Sequence, residues 1–371
     1  FSFFLNIMIE LDGSYGEGGG ALVRVALALS TLTNQPFSVD KIRSGRSDPG
    51  LKAQHLTAIK ALLEISNAHC DEIKLGSTQF SFQPGKIKSG TYHINIGTAG
   101  SITLLLQALI LPSLFAPGKV TLILKGGTCG KWQASVDYLQ NLLLPQLQRF
   151  AQRMELKILK RGYYPQGGGE ASLEMSPKYK LKDSPTFDQF FQKINFDIPK
   201  IELKEQGKLE QIKGIINISS ELADKEVAER IQKSAQNTLK SYSVPINIRV
   251  DYTSSPSIGG EILLWAIFSK NEDIDTKNPI FLGSSVLLEK NKTSEQIGKE
   301  AAEQLLQEIR SEAAVDSYLS DQLIPFMALL PDSQIKVAKI TEHTLTNIYV
   351  VEKFLPVKFK IENNTILSQR S

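Results

Sequence analysis

The chain has 371 residues, 42% of them hydrophobic and 22% charged, with a formal net charge of +3. That is the composition of an ordinary globular protein, long enough for one large domain or several smaller ones; the charge is compatible with an anionic partner without demanding one. Two cysteines, Cys70 and Cys129, exclude a disulfide framework or a cysteine-rich metal centre and suit a reducing compartment. The apolar run 104–115 is too short to span a bilayer and carries Gln107 and Pro112, so it reads as a core helix. The start lacks a basic n-region and a cleavage site, Met8 is a candidate first residue, and the cytoplasm is the expected location.

In chain order, residues 5–12 read as a strand, followed by glycines and an apolar helix from about Gly19 to Thr33. A short strand follows at 37–42, then a helix from about Gln54 to Ser66 with Ile59, Leu62 and Leu63 at helical spacing, then short strands near 79–82 and 91–96. The next block repeats the plan. TAGSITLLLQALILPSLF is a helix, KVTLILKGG a strand, SVDYLQNLLLPQLQRFA a helix and MELKILKRG a strand, and QGGGEASLEM re-uses a triple glycine before apolar alternation. This predicts an α/β fold of repeated βαβαββ units with mixed sheets, not one doubly wound parallel sheet. Composition turns polar near 177. A new strand–helix unit starts at IKGIINIS, its helix carrying Val227, Ile231, Ala235 and Leu239 on one stripe. The tail, ITEHTLTNIYVVEKFLPVKF included, returns to the apolar style, with His343 read as lying just before a strand. The expected division is a discontinuous core, 1–182 plus 313–371, and a smaller inserted α/β domain, 183–312.

GEGGGALVR at 16–24 satisfies G-x-G-x-x-G/A when taken alone, with Asp40 at the distance of a ribose-binding acid. A dinucleotide site needs a strand running straight into the glycines, and Asp12 and Ser14 interrupt the approach. A P-loop is excluded because no Lys-Ser/Thr follows. What stands out is Glu17 inside the glycines and Arg24 as the only charge between Gly18 and Gln35. An arginine on an apolar helix needs an anion, a salt bridge such as one to Glu17, or a route to solvent. Arg43 and Arg46, on a Gly/Pro loop leading to Gln54 and His55, tilt the reading toward phosphate at a helix N-terminus. Of the four histidines, His55, His69, His93 and His343, none has the neighbours of a zinc site.

Taken together, DGSYGEGGGALVR, IRSGRSDPGLKAQH, GTAGS followed by LLLQ, RGYYPQGGGE, YLSDQL and EHTLTNI resemble the RNA 3′-terminal phosphate cyclases, in order from about Glu10 to about Lys360. The resemblance implies a large core of repeated βαβαββ units with an inserted α/β domain. It also implies a reaction on an RNA bearing a 3′-phosphate, with ATP as co-substrate. A histidine takes AMP from ATP, the AMP passes to the RNA 3′-phosphate, and the ribose 2′-OH closes a 2′,3′-cyclic phosphate.

By match to those motifs, His343 is the nucleophile. Gln107 and the YLSDQL residues Tyr318, Leu319, Ser320, Asp321 and Gln322 belong to the ATP site. Arg24, Arg43, Arg46, Gln54 and His55 hold phosphates and the RNA end, and Glu17 binds a divalent metal, Mg or Mn. Residues Cys129–Ser135 depart from the family's proline-containing loop, which puts the nucleotide contacts there in question; Trp132 offers either a ring to stack on a base or a packing side chain. Cyclase-like proteins without catalysis, which act in ribosome assembly, lack the histidine that stands here at 343. An enolpyruvyl transferase would share the architecture but not EHTLTNI.

Overall fold

A computed structural model describes residues 8–16, 18–270 and 273–371. The first unit comprises β1 (Ile9–Asp12), α1 (Gly20–Thr33), β2 (Phe37–Asp40), α2 (Ala53–Ser66), β3 (His69–Cys70) and β4 (Phe80–Gln83). The part of the first expected strand that precedes Met8 lies outside the described residues. In the sheet, β1 and β2 are parallel, β4 joins β2 antiparallel, and β3 closes on β4, giving the order β1-β2-β4-β3.

The second unit repeats the pattern with β5 (Gly90–Asn95), α3 (Ile102–Ser113) and β6 (Val120–Gly126). It continues through a helical stretch, α4 (Val136–Tyr138), a π-helical turn (Leu139–Leu143) and α5 (Leu144–Leu147), to β7 (Ala151–Lys160) and β8 (Gly169–Pro177). Its sheet has the same order and sense, β5-β6-β8-β7. Along β8 every second residue is buried, as a strand with one face on helices requires. A helix that the sequence pattern does not announce, α6 (Phe187–Asp197), follows.

The third unit is split. Its first strand is only β9 (Glu202–Leu203). The chain then leaves to form a separate sheet from β10 (Lys208–Ser219), α7 (Val227–Leu239), β11 (Ile246–Thr253), β12 (Gly260–Ser269), β13 (Ile280–Leu287) and α8 (Ser294–Arg310). That sheet runs β11-β10-β12-β13. The unit resumes with α9 (Leu319–Leu329), β14 (Gln334–Lys336), α10 (Glu342–Phe354), β15 (Val357–Glu362) and β16 (Thr365–Arg370). With β9 parallel to β14, and β16 between β14 and β15, its order β9-β14-β16-β15 matches the first two units strand for strand. The fold is therefore mixed α/β, with a βαβαββ unit repeated three times among the described residues.

Helix α1 is buried from Ala21 to Thr33, which is why its sequence is apolar on every side rather than amphipathic. It packs against α2, α3 and α10. Helix α10 corrects the reading of TNIYVVEKF as a strand. Its β-branched residues Ile348, Val350 and Val351 favour a strand locally, but Thr341 caps a helix there, its Oγ1 accepting from the Thr344 N–H at 3.1 Å. Val350 and Val351 are then buried on the helix. The sheet containing β12 is docked by buried polar contacts. Asp137 pairs with Arg161 through both carboxylate oxygens and accepts from Asn217 at 3.3 Å, and the Tyr163 hydroxyl donates to Asn217 at 3.0 Å.

Candidate active site

The site forms where first turns of helices from different units meet. Gly20 opens α1, and a Cβ there would lie 2.1 Å from Nε2 of His55 and 2.8 Å from a guanidinium nitrogen of Arg24. No side chain larger than hydrogen fits without displacing both groups. Gly16, at φ +62°, lies against α10: a Cβ would meet Thr346 Oγ1 at 2.4 Å and the Glu342 carbonyl oxygen at 3.7 Å. That φ also lies in the left-handed region that favours glycine. The glycine loop thus joins the start of α1 to the first turn of α10, where His343 stands half-buried. At a third junction, Gly100, just ahead of α3, lies beside Gln54.

Arg24 is 6% exposed. Its Nε donates to Oε1 of Gln107 at 2.7 Å, so the one side-chain amide of α3 orients the one charged residue of α1. The Nη1 lies 3.4 Å from Nε2 of His55. The other ring nitrogen of His55, Nδ1, accepts from the Lys52 backbone N–H at 3.0 Å, which assigns the ring proton to Nε2. Burial first, then the charges of Arg24, Arg43 and Lys52, push the His55 pKa down to about 3, so the ring is neutral near pH 7. The ring N–H and the guanidinium N–H are both donors and face one another, an arrangement suited to an anionic oxygen. The N-terminal ends of α1 and α2 add their positive dipole ends.

Arg43 is half-buried at φ +54° and donates to the Asp48 carbonyl oxygen at 2.8 Å. Arg46 is exposed on the same loop. Glu17 lies outside the described residues. Among the described residues no group of three His, Cys, Asp or Glu side chains is spaced to hold a metal ion. The described donor set does not by itself make up a metal site.

The YLSDQL residues divide. Asp321 and Gln322 line a narrow cavity together with Gln107, Thr103 and Asn347. Leu319 and Ser320 are fully buried, and Ser320 shares a contact of 3.2 Å with Thr344 on α10. Tyr318 is 44% exposed and sits edge-on to Tyr138, ring centroids 6.0 Å apart. Two residues beyond the sequence reading hold this arrangement. Asn347 donates to the Asp321 carbonyl oxygen at 2.8 Å, tying α9 to the helix that carries His343. Asp316 is buried and accepts from the backbone N–H groups of Tyr318 and Leu319 at 2.9 Å and from Gly283 at 2.8 Å, as well as from the Tyr138 hydroxyl at 2.6 Å. An acid two residues ahead of YLSDQL, in position to accept the first N–H groups of a helix, was the available signal.

A family model for RNA 3′-terminal phosphate cyclase matches residues 15–361. The chain belongs to that family. Among curated relatives, the RNA 3′-terminal phosphate cyclase of Methanopyrus kandleri is 40% identical, with 95% of each chain covered. That of Methanosarcina mazei is 41% identical over 96% of this chain and 97% of its own. The cyclase of Pyrococcus furiosus is 38% identical over 96% and 95%. The family's sequence matches thus extend over both the split third unit and the sheet that interrupts it.

Proposed function

We propose that this protein uses ATP to convert an RNA 3′-phosphate to a 2′,3′-cyclic phosphate through an adenylylated His343. In the first step an imidazole nitrogen attacks the α-phosphorus of ATP; a P–N bond forms and pyrophosphate leaves. An oxygen of the RNA 3′-phosphate then attacks the same phosphorus, the P–N bond breaks, and the histidine is regenerated. Last, the ribose 2′-OH attacks the 3′-phosphorus, loses its proton and expels AMP. Each step brings anionic oxygens together, so fixed positive charge must oppose their repulsion.

The observation that carries this reading is the buried donor pair of Arg24 and His55, held by Gln107, beside a glycine loop that packs on the first turn of the His343 helix. Arg24 and His55 bind phosphate oxygens, with Arg43 and Arg46 on the loop above and Gln54 at the RNA end. Gln107, Tyr318, Asp321 and Gln322 are assigned to ATP by their place in the family motifs. We assign Glu17 to a divalent metal, Mg or Mn, by its place in the family motif. The inserted domain is best drawn at Lys208–Arg310, narrower than 183–312, because β9 pairs with β14 and α6 packs on α9. Among the described residues no helix is long and apolar enough to cross a membrane; the two free cysteines suit the reducing cytoplasm.

The test is incubation with α-labelled ATP and Mg or Mn, followed by denaturing electrophoresis. Acid-labile label on the wild type and none on His343→Ala is expected. A wild type that takes no label, or a His343→Ala variant that labels equally, refutes the mechanism.

A further inference from the structure

Two aromatic residues stand in the motifs of the candidate site without a role in it. Tyr15 belongs to DGSYGEGGGALVR, and Tyr349 directly follows EHTLTNI. The fold lays one ring on the other, with centroids 4.0 Å apart and planes 15° from parallel. Tyr349 is held by two further contacts. Its hydroxyl accepts from the Asp12 backbone N–H at 3.4 Å, and the Lys353 ammonium lies 5.5 Å from its ring centroid. The end of β1 and its own helix thus fix the ring on which Tyr15 stacks.

Helix geometry explains where the stack falls. Glu342, Thr346, Tyr349 and Lys353 recur at i, i+4, i+7 and i+11, a single stripe along α10, and His343 stands beside the first of them. The glycine loop follows that stripe: Gly16 lies against Thr346 and the Glu342 carbonyl oxygen, and Tyr15 against Tyr349. Within itself the loop is tightly bonded. The Tyr15 N–H donates to the Asp12 carbonyl oxygen and the Gly18 N–H to that of Tyr15, both at 3.1 Å. The Ser14 N–H and hydroxyl donate to the Asp12 carboxylate at 2.9 and 2.6 Å. Toward α10 polar contact is sparse. Thr346 Oγ1, the atom that a Cβ on Gly16 would meet first, is buried without a hydrogen-bond partner among the described residues. Tyr349, through its ring and hydroxyl, therefore supplies the contact that sets how the loop, and the start of α1 that follows it, stand against the first turn of α10.

We propose that Tyr15 and Tyr349 are positioning residues for adenylyl transfer: their stack fixes the glycine loop on α10, and so sets the placement of the buried Arg24 and His55 donors relative to the His343 ring. This rests on the cyclase reading above.

The test follows the rate at which AMP from α-labelled ATP attaches to the protein at saturating ATP. It compares wild type with Tyr15→Ala, Tyr349→Ala, the double alanine variant and Tyr15→Phe, with folding checked by circular dichroism at the assay temperature. A misplacement of about 1 Å lowers rate by ~10²-fold, so each alanine variant is expected to label about 10- to 100-fold more slowly, with the KM for ATP little changed. Tyr15→Phe keeps the ring face and is expected to label like wild type. Two residues acting through one contact lose it once, so the double variant is expected to be no slower than the slower single variant, whereas independent structural roles multiply their losses. Tyr15 is 43% exposed, so Tyr15→Ala is expected to fold even if Tyr349→Ala does not, and its rate set beside that of Tyr15→Phe then decides the question.

A Tyr15→Ala protein that labels at the wild-type rate, a Tyr15→Phe protein as slow as Tyr15→Ala, or losses that multiply in the double variant each overturn this inference and leave the cyclase reading standing. A raised KM for ATP at an unchanged saturating rate overturns it in favour of a direct part in nucleotide binding. A wild type that takes no label overturns the cyclase reading and this inference with it.

Discussion

Gly20→Ala isolates the close approach on which the candidate site depends. By helix propensity alone the substitution stabilises an α-helix by about 1 kcal/mol. Here the added methyl would stand 2.1 Å from His55 Nε2, 2.7 Å from Cε1 and 2.8 Å from an Arg24 nitrogen, well inside van der Waals contact. His55 is 1% exposed and Arg24 6%, so neither has open space to retreat into. Overpacking of this kind costs about 1–3 kcal/mol, which cancels or exceeds the propensity gain. The heavier effect falls on function. The methyl must separate the two N–H donors, and a displacement of about 1 Å at a positioned group lowers rate by ~10²-fold. Thermal unfolding and cyclisation kinetics, run beside Gly45→Ala, check this; a Cβ at Gly45 meets nothing within 4 Å. The expected outcome is a Gly20→Ala protein no more stable than wild type, with kcat/KM down by about two orders of magnitude. A Gly20→Ala protein that gains stability and keeps its kcat/KM would refute the packing of Arg24 and His55 against α1.

Other outcomes follow from the buried charges. His55 in the folded chain resists protonation until about pH 3, while in the unfolded chain it protonates near pH 6.5. Its contribution to stability is therefore complete above pH 6.5 and is lost as pH falls toward 3, by about 1.4 kcal/mol per pH unit. His55→Asn, which keeps an acceptor for the Lys52 N–H but does not titrate, should flatten that part of the stability-versus-pH curve; an unaltered curve counts against a neutral buried ring. Glu261 is buried, and burial followed by the Asp137 charge pushes its pKa up to about 7. The folded carboxyl keeps a proton that the unfolded one releases near 4.5, so stability from this group falls as pH rises from 4.5 to 7. Glu261→Gln should raise the unfolding temperature more at pH 8 than at pH 4, and the opposite order would contradict the sign. Asp137→Asn leaves the buried Arg161 without its bidentate carboxylate, which should destabilise by about 3–5 kcal/mol in chemical denaturation. A change under 1 kcal/mol would mean that Asp251, 3.7 Å from Arg161, suffices.

Periodicity made the first two units legible. The apolar run of α1 and the alternation in β8 each state a local environment that the fold then provides, as does the stripe on α7 in the separate sheet's domain. Helix α10 was not legible in the same way, because Ile348, Val350 and Val351 carry strand preference. Packing against α1 and the Thr341 cap outweigh that preference, and both are known only once the chain is folded. The third unit was hidden for a different reason. Its first strand is two residues long, too short for alternation to register, and its partner β14 lies more than a hundred residues downstream.

The candidate site divides along the same line. Its residue types and motifs were set by sequence: an arginine in an apolar helix, glycines that no side chain replaces, and a histidine in EHTLTNI. What each does was decided by tertiary structure. Arg24 meets Gln107 across 83 positions and His55 across 31, and only the meeting of helix ends brings that buried charge beside both side chains. Sequence determined which groups can ionise, donate or bend; the fold decided which of them share a space. Burial and proximity then set their protonation and partners, and neither is a property of any single stretch of chain.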